Sequence, residues 1–386
     1  MEFALSEELV ILRDTVRKFA DKEIAPFADK WDEEHHWPRQ LVLKMGEMGL
    51  FGAIIPEQYG GTGMGWLAFV IATEEIARAS SSLRVAFNMQ TAGPGVGILL
   101  HGTEEQKKKY LPGLCSGELI GCFAITEPDA ASDVLSMKTT AKKDGDSYIL
   151  NGSKIWISNA QFADLALVYA YTNKEAATKG MSAFVVELKN NPGIKTLPLD
   201  KMGTRSSPTG EIVFEDARIP ASALLPPEGR GVPYVFECLN RTRVSCAAGG
   251  VGVAQACLDA ATKYCNERKQ FGQEIGQFQM NQDLIAQMTV EVEAARLLTY
   301  KAAWQKDQGQ LGNTLETSMA KFFAGEVAQR ASHAAMKIFG SYGYSPEYPA
   351  ARLYRDAVLY QIVEGTANIQ KTIIAMDQLG YRKANK

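Results

Sequence analysis

The chain has 386 residues, 46% of them apolar, enough for one large or two to three ordinary domains with sizeable cores. Its 41 basic and 44 acidic residues leave a net charge of −3, which excludes a strong electrostatic grip on nucleic acid or anionic lipid. Residues 1–20 carry Glu2, Glu7, Glu8 and Asp14 without a basic start and apolar run, and no apolar stretch reaches the roughly 20 residues needed to cross a bilayer, so a cytoplasmic protein is expected, with neither membrane nor nucleic acid as a partner.

The six cysteines, Cys115, Cys122, Cys238, Cys246, Cys257 and Cys265, contain no CxxC pair, and reduced, packed thiols are expected. Of the four histidines, His35 and His36 are adjacent in a polar stretch, while His101 and His333 are isolated, so no histidine-based metal site can be built.

In chain order, Ser6 as an N-cap, Glu7 and Glu8 in a first turn, and Leu9, Leu12, Val16, Phe19 and Glu23 at steps of three and four predict amphipathic helix within 6–34. Helical patterns follow at 38–50, 65–80, 86–101 and 104–117, broken by the glycine-rich turn from Tyr59 to Gly65. The period then shortens. Leu119–Thr126, Tyr148–Ser158, Leu165–Tyr171, Met181–Glu187 and Glu211–Ile219 read as strands, with Asp144-Gly145 and Asn151-Gly152 as turn signals. From about Val232 helical spacing returns, with Ile285, Met288, Val292, Ala295 and Leu298 in one stripe and Phe322, Val327 and Ala331 in another. The expected class is α+β: a helical domain over 1–120, an antiparallel β domain over 121–231 and a helical bundle over 232–386.

Three glycine clusters, at Gly93–Gly97, Gly249–Gly252 and Gly340–Gly343, stop short of GxGxxG after a strand, and close helix packing explains the middle one. A nicotinamide site of the usual kind is not expected. Four other segments carry chemistry. The first, Phe123 to Asp133, runs from a strand through Ile125 and Thr126 into a Pro-containing turn with Ser132, suited to a polar heterocycle edge and, on its own, equally to an ordinary surface turn. The second, Trp156-Ile157-Ser158-Asn159, sets an aromatic beside a hydroxyl at a strand end, which also suits a simple core residue and capped strand. The third, Arg268-Lys-Gln-Phe271-Gly followed by Gln279, lies between two long helices, where an Arg serves the helix dipole or, by its planar fork, a pyrophosphate. The fourth, Tyr360-Gln-Ile-Val-Glu364-Gly365-Thr366-Ala-Asn368, places a solitary acid before Gly-Thr, which also suits a helix N-terminus.

In this order, and over essentially the whole chain, the four segments resemble the acyl-CoA dehydrogenase family. The resemblance implies an N-terminal helical domain, a β-barrel-like middle domain and a C-terminal four-helix bundle. It implies FAD as cofactor, bordered by Phe123, Ile125, Thr126, Ser132, Trp156, Ile157, Ser158, Thr366 and Asn368. Arg268, Phe271 and Gln279 would reach the FAD of a neighbouring subunit in a homotetramer, against Lys337, Phe339, Gly340 and Ser341; Lys337 and Ser341 depart from the family's usual residues. Glu364 would be the base, Gly365 would let the thioester approach, and Ser132, Gln90, Thr91, Asn240 and Arg243 would touch the acyl-CoA.

The α-hydrogen of a thioester is a weak acid, so its removal needs a positioned base and stabilisation of the growing oxyanion. In the family the glutamate's backbone N–H and a flavin hydroxyl supply that stabilisation, the β-hydrogen leaves as hydride to the flavin, and electron-transferring flavoprotein reoxidises the enzyme. A distal carboxylate on the substrate wants a buried basic partner, and no Lys or Arg lies between Arg84 and Lys107. A neutral acyl group, bulky or cyclic ones such as an alicyclic carboxyl-CoA included, is therefore expected, with glutaryl-CoA as the second reading and a catalytically silent binding module as the third.

Overall fold

The computed structural model of the protein describes residues 4–385. Its first part is helical: α1 (Glu7–Glu23), α2 (Ala28–Glu34), α3 (Arg39–Glu47), α4 (Trp66–Ala79), α5 (Ser81–Gln90), α6 (Val96–His101) and α7 (Glu104–Ser116). Ser6 caps α1, accepting from the Leu9 amide at 3.4 Å, and Thr103 and Gln106 form a capping box on α7. Ser80 caps α5 by accepting from the Leu83 amide, so this helix starts at Ser81 instead of 86. The earlier start brings Arg84 onto the helix. A distorted turn at Thr91–Gly95, with Pro94 inside, separates α5 from α6.

The middle part is a curled seven-stranded sheet of β1 (Gly121–Ala124), β2 (Thr140–Asp144), β3 (Ser147–Ser158), β4 (Leu165–Tyr171), β5 (Met181–Glu187), β6 (Ile194–Pro198) and β7 (Thr209–Pro220). Most pairs are antiparallel, but β4 runs parallel to β1 and, at one register point, to β2. Two strands lie beyond the expected five: β2 and β6 carry mostly polar, outward residues, so their apolar alternation is weak. Asn151-Gly152 is not a turn. It forms a bulge inside β3, where Gly152 takes φ +139 and the Asn151 side chain reaches Asp216.

The last part packs α8 (Gly231–Glu267), α9 (Gln279–Asp307), α10 (Thr314–Phe339) and α13 (Ala367–Gln378) as the main helices, with β8 (Lys269–Gln270), β9 (Gln273–Glu274) and short α11 (Ala350–Ala357) and α12 (Leu359–Ile362) between them. Contrary to the sequence expectation, α8 is long and apolar enough to span a membrane, yet most of that stretch is buried among its neighbours as a core helix. Its glycines permit this. A Cβ on Gly252 would lie 2.4 Å from the Glu74 carbonyl oxygen on α4, and one on Gly250 3.0 Å from the Ala324 carbonyl oxygen on α10. All six cysteines are buried and unpaired.

Candidate active site

After α12 the chain turns sharply. Glu364 and Gly365 both take left-handed conformations, φ +56 and +89, before Thr366 caps α13 by accepting from the Ile369 amide at 3.3 Å. For a glutamate that conformation costs about 1–2 kcal/mol, and surrounding side chains hold it. Arg243 Nε donates to the Glu364 carbonyl at 3.1 Å, while Lys321 Nζ and Gln370 Nε2 donate to the Gly365 carbonyl at 2.8 and 3.0 Å. A Cβ on Gly365 would sit 2.6 Å from Gln370 Nε2 and 3.3 Å from Arg243 Nη2, so this position requires glycine for space as well as for φ.

The Glu364 side chain is 11% exposed and reaches α5. Its Oε1 accepts from Asn88 Nδ2 at 2.9 Å and lies 3.7 Å from Arg84 Nη2, whereas Oε2 is buried without a hydrogen-bond partner among the described residues. Burial raises the affinity of the carboxyl for its proton above the ordinary carboxylate range; Arg84, the nearby Thr242 hydroxyl, Lys321 and Arg243 each pull it back. The result is a carboxylate with one free oxygen and increased basicity, the two properties of a proton-abstracting base.

Arg84 itself is 1% exposed, and its Nε and Nη2 have no hydrogen-bond partner among the described residues. Its guanidinium lies 5.5 Å from the ring centroid of Tyr360, whose hydroxyl pairs with Ser81 at 2.8 Å. Gly249 leaves the room it needs, since a Cβ there would be 2.6 Å from Arg84 Nε.

The first two sequence segments come together on the sheet. The Ile155 amide donates to the Thr126 carbonyl at 2.8 Å, and the buried Lys154 ammonium donates to the Ile125 carbonyl at 3.1 Å and to Glu127 Oε1 at 2.7 Å. Glu127 in turn accepts from the Lys138 and Thr139 amides, which fixes the Pro-containing turn. Phe123, Ile125, Thr126 and Ser158 are half-buried and Ser132 is exposed on the loop beyond, while the Ile157 side chain is buried in the sheet core. Trp156 is 57% exposed at φ +62, a strained backbone presenting a large aromatic face to the outside.

Several expected contacts are made otherwise. Gln90 is buried and fully engaged with backbone: its Nε2 donates to the Leu114 and Leu119 carbonyls and its Oε1 accepts from the Gly121 amide. Thr91 donates to the Phe51 carbonyl at 2.8 Å. Both therefore splice α5 to its surroundings through their polar groups. Asn240 Nδ2 donates to the Leu311 carbonyl at 3.0 Å, and Arg243, buried, gives its Nε to the Glu364 carbonyl. Phe339 is 4% exposed and stacks on Tyr264 at 4.3 Å, a core role.

Arg268, Phe271, Gln279, Lys337, Gly340 and Ser341 are exposed and cluster at one end of the bundle, where Arg268 lies 5.6 Å from the Tyr342 ring. Lys337 is sixteen residues along α10 from Lys321, about 24 Å at the helical rise. These groups are thus too far along the bundle to serve the Glu364 of their own chain.

Three domain families match in succession: Acyl-CoA dehydrogenase, N-terminal domain over residues 6–118, middle domain over 122–217 and C-terminal domain over 229–379. This chain belongs to the acyl-CoA dehydrogenase family. It is 59% identical over 389 aligned residues to glutaryl-CoA dehydrogenase of Desulfococcus multivorans, covering 100% of both chains, and 39% identical to the short-chain specific acyl-CoA dehydrogenase of Clostridium acetobutylicum, covering 97% of this chain and 99% of the other. Among solved structures it superposes on a glutaryl-coenzyme A dehydrogenase in complex with glutaryl-CoA, with a TM-score of 0.99 and 58% identity over 100% of this chain and 98% of that one. The butyryl-CoA dehydrogenase of Megasphaera elsdenii gives a TM-score of 0.95 and 36% identity, covering 98% of this chain and 100% of the other.

Like the rest of the acyl-CoA dehydrogenase family, the protein is an FAD-dependent oxidoreductase that dehydrogenates acyl-CoA thioesters. Its residues fit the cofactor. Trp156, 57% exposed on strained backbone, and Phe271, 94% exposed, are aromatic faces that a heterocycle can cover, and the Thr126 and Ser158 hydroxyls lie on the same strand ends as Trp156. Bound FAD supplies the hydride acceptor; the chain itself supplies the base, the cations around it and the shape of the cleft. Three residues of the site escaped the sequence reading: Arg84, Asn88 as a donor to the base, and Lys321. The available signal was charge in apolar company, a lone Arg in Leu83-Arg84-Val85 and a lone Lys in Met319-Ala320-Lys321-Phe322.

Proposed function

We propose that the acyl group is a dicarboxylate of the glutaryl kind, so that the protein acts as a glutaryl-CoA dehydrogenase with Glu364 as the base. The observation that carries this reading is the buried guanidinium of Arg84, two of whose nitrogens have no hydrogen-bond partner among the described residues, one of them 3.7 Å from Glu364 Oε1. Leaving a guanidinium so poorly paired costs several kcal/mol, and a neutral alicyclic chain would leave it that way. A distal carboxylate would pair with it, and the Asn88 amide one helical turn on faces the same space. The neutral-substrate expectation came from looking for a basic partner only between Arg84 and Lys107, which set Arg84 itself aside. The 59% identity to a glutaryl-CoA dehydrogenase supports the same choice.

The FAD lies across Phe123, Ile125, Thr126, Trp156, the Ile157 backbone, Ser158, Thr366 and Asn368, with Ser132 beside the thioester and with Arg268, Phe271 and Gln279 contributed by a neighbouring subunit of a homotetramer. Electron-transferring flavoprotein is the acceptor. The three domains divide at 120/121 and 231/232, and six unpaired cysteines suit a cytoplasmic enzyme.

Steady-state turnover of glutaryl-CoA, butyryl-CoA and an alicyclic carboxyl-CoA by the wild type and by R84Q tests the assignment. Wild type should prefer glutaryl-CoA, and R84Q should raise its KM relative to the neutral thioesters by about a hundredfold, the range of a broken buried charge pair. A wild-type preference for the alicyclic thioester, or an unchanged substrate ratio in R84Q, would refute the dicarboxylate.

A further inference from the structure

Lys321 lies midway along α10, 1% exposed, between Met319-Ala320 and Phe322-Phe323. Its ammonium donates to the Gly365 carbonyl at 2.8 Å and, among the described residues, forms no ion pair with any carboxylate. An apolar side chain would pack such a helix at far lower desolvation cost. Hydrogen bonding alone does not account for the lysine, because the neutral Gln370 amide already donates to that carbonyl at 3.0 Å.

A positive charge at this point acts on its neighbours, although burial weakens the ammonium's hold on its proton, and the acid among them is Glu364. The charged and titratable groups facing that carboxyl are Arg84 from α5, Arg243 and Cys246 from α8 and Lys321 from α10. Arg243 holds the Glu364 carbonyl, while Lys321 holds the next one along the chain, so successive peptide units of the left-handed turn are tied to separate helices of the bundle.

We propose that Lys321 is a positioning residue for proton abstraction: it fixes the Gly365–Thr366 peptide and thereby keeps Glu364 in its left-handed conformation, aimed at the substrate. Its charge also favours the ionised carboxylate, opposing the desolvation that raises its proton affinity. The inference rests on Glu364 being the base.

The test uses FAD-loaded K321Q, K321M, K321R and E364Q, with kcat and KM measured across pH and thermal unfolding measured in parallel. K321Q, which keeps a donor and loses the charge, should lower kcat tenfold to about a hundredfold, the scale of a misplaced reacting group, with KM changed by less than about threefold. Removing a cation raises the proton affinity of Glu364, so the acid-side fall of kcat/KM should move to higher pH in K321Q and K321M and return toward the wild-type position in K321R. Such a displacement is not produced by lost stability alone. If K321M fails to fold, K321Q carries the comparison. A folded K321Q with wild-type kcat and an unmoved acid limb, alongside an inactive E364Q, overturns the role of Lys321 and leaves the base intact; an active E364Q overturns both.

Discussion

Glu364 is a carboxylate whose surroundings oppose one another: burial disfavours its charge, and three cations from three helices favour it. The outcome is a base with raised proton affinity, so activity should fall with decreasing pH at a point above the ordinary carboxylate range, as the group takes up its proton and loses the lone pair it needs. A pH profile of kcat/KM with glutaryl-CoA measures this. E364Q should lower kcat about a thousandfold while leaving the bound flavin spectrum in place; retention of both spectrum and activity would remove the residue from the mechanism. Glu364, Gly365 and Thr366 were legible in the sequence because they form a local run. Arg84, Asn88 and Lys321 were not, because they lie 280, 276 and 43 positions from Glu364 and meet it only through tertiary packing. Arg243 was legible as an important arginine but its hold on the Glu364 carbonyl was not, since a sequence gives the presence of a guanidinium but not its partner.

Among the elements, those with a strong local signal were read most fully: β4 and β5 lie where the short β-branched and aromatic runs place them, and α1 starts at the capping serine. The polar strands β2 and β6 and the bulge at Asn151-Gly152 were hidden, since half-exposed strands carry little apolar signal and a bulge shares its residues with a turn. The α8 glycines read correctly as packing positions, and this supports a quantitative expectation. A Cβ at Gly252 would meet the backbone oxygen of Glu74 at 2.4 Å, a group that cannot rotate away, so G252A should destabilise the protein by about 1–3 kcal/mol. Urea unfolding of the FAD-loaded enzyme checks it. An unchanged midpoint would mean that α4 and α8 separate easily.

At the scale of the whole molecule, α9 leaves Val290, Leu297 and Trp304 exposed at seven-residue intervals, and Met280 and Phe271 nearby are more than four-fifths exposed. A repeat of seven on a long helix is a seam for another helix, which supports the homotetramer proposed above. L297E should dissociate it in sedimentation velocity and release FAD, because Arg268 and Gln279 would no longer reach a neighbour; a full-sized, yellow L297E would move the seam elsewhere. A second whole-molecule property follows from α5. Two residues apart on that helix, Asn88 grips the base on the helical bundle and Gln90 grips Gly121 at the start of the cofactor-facing sheet. Helix and sheet domains can therefore breathe against each other only as far as ten residues of α-helix will flex, so the separation between the two ends of the reaction is a local constant, insulated from slower motions of the domains around it.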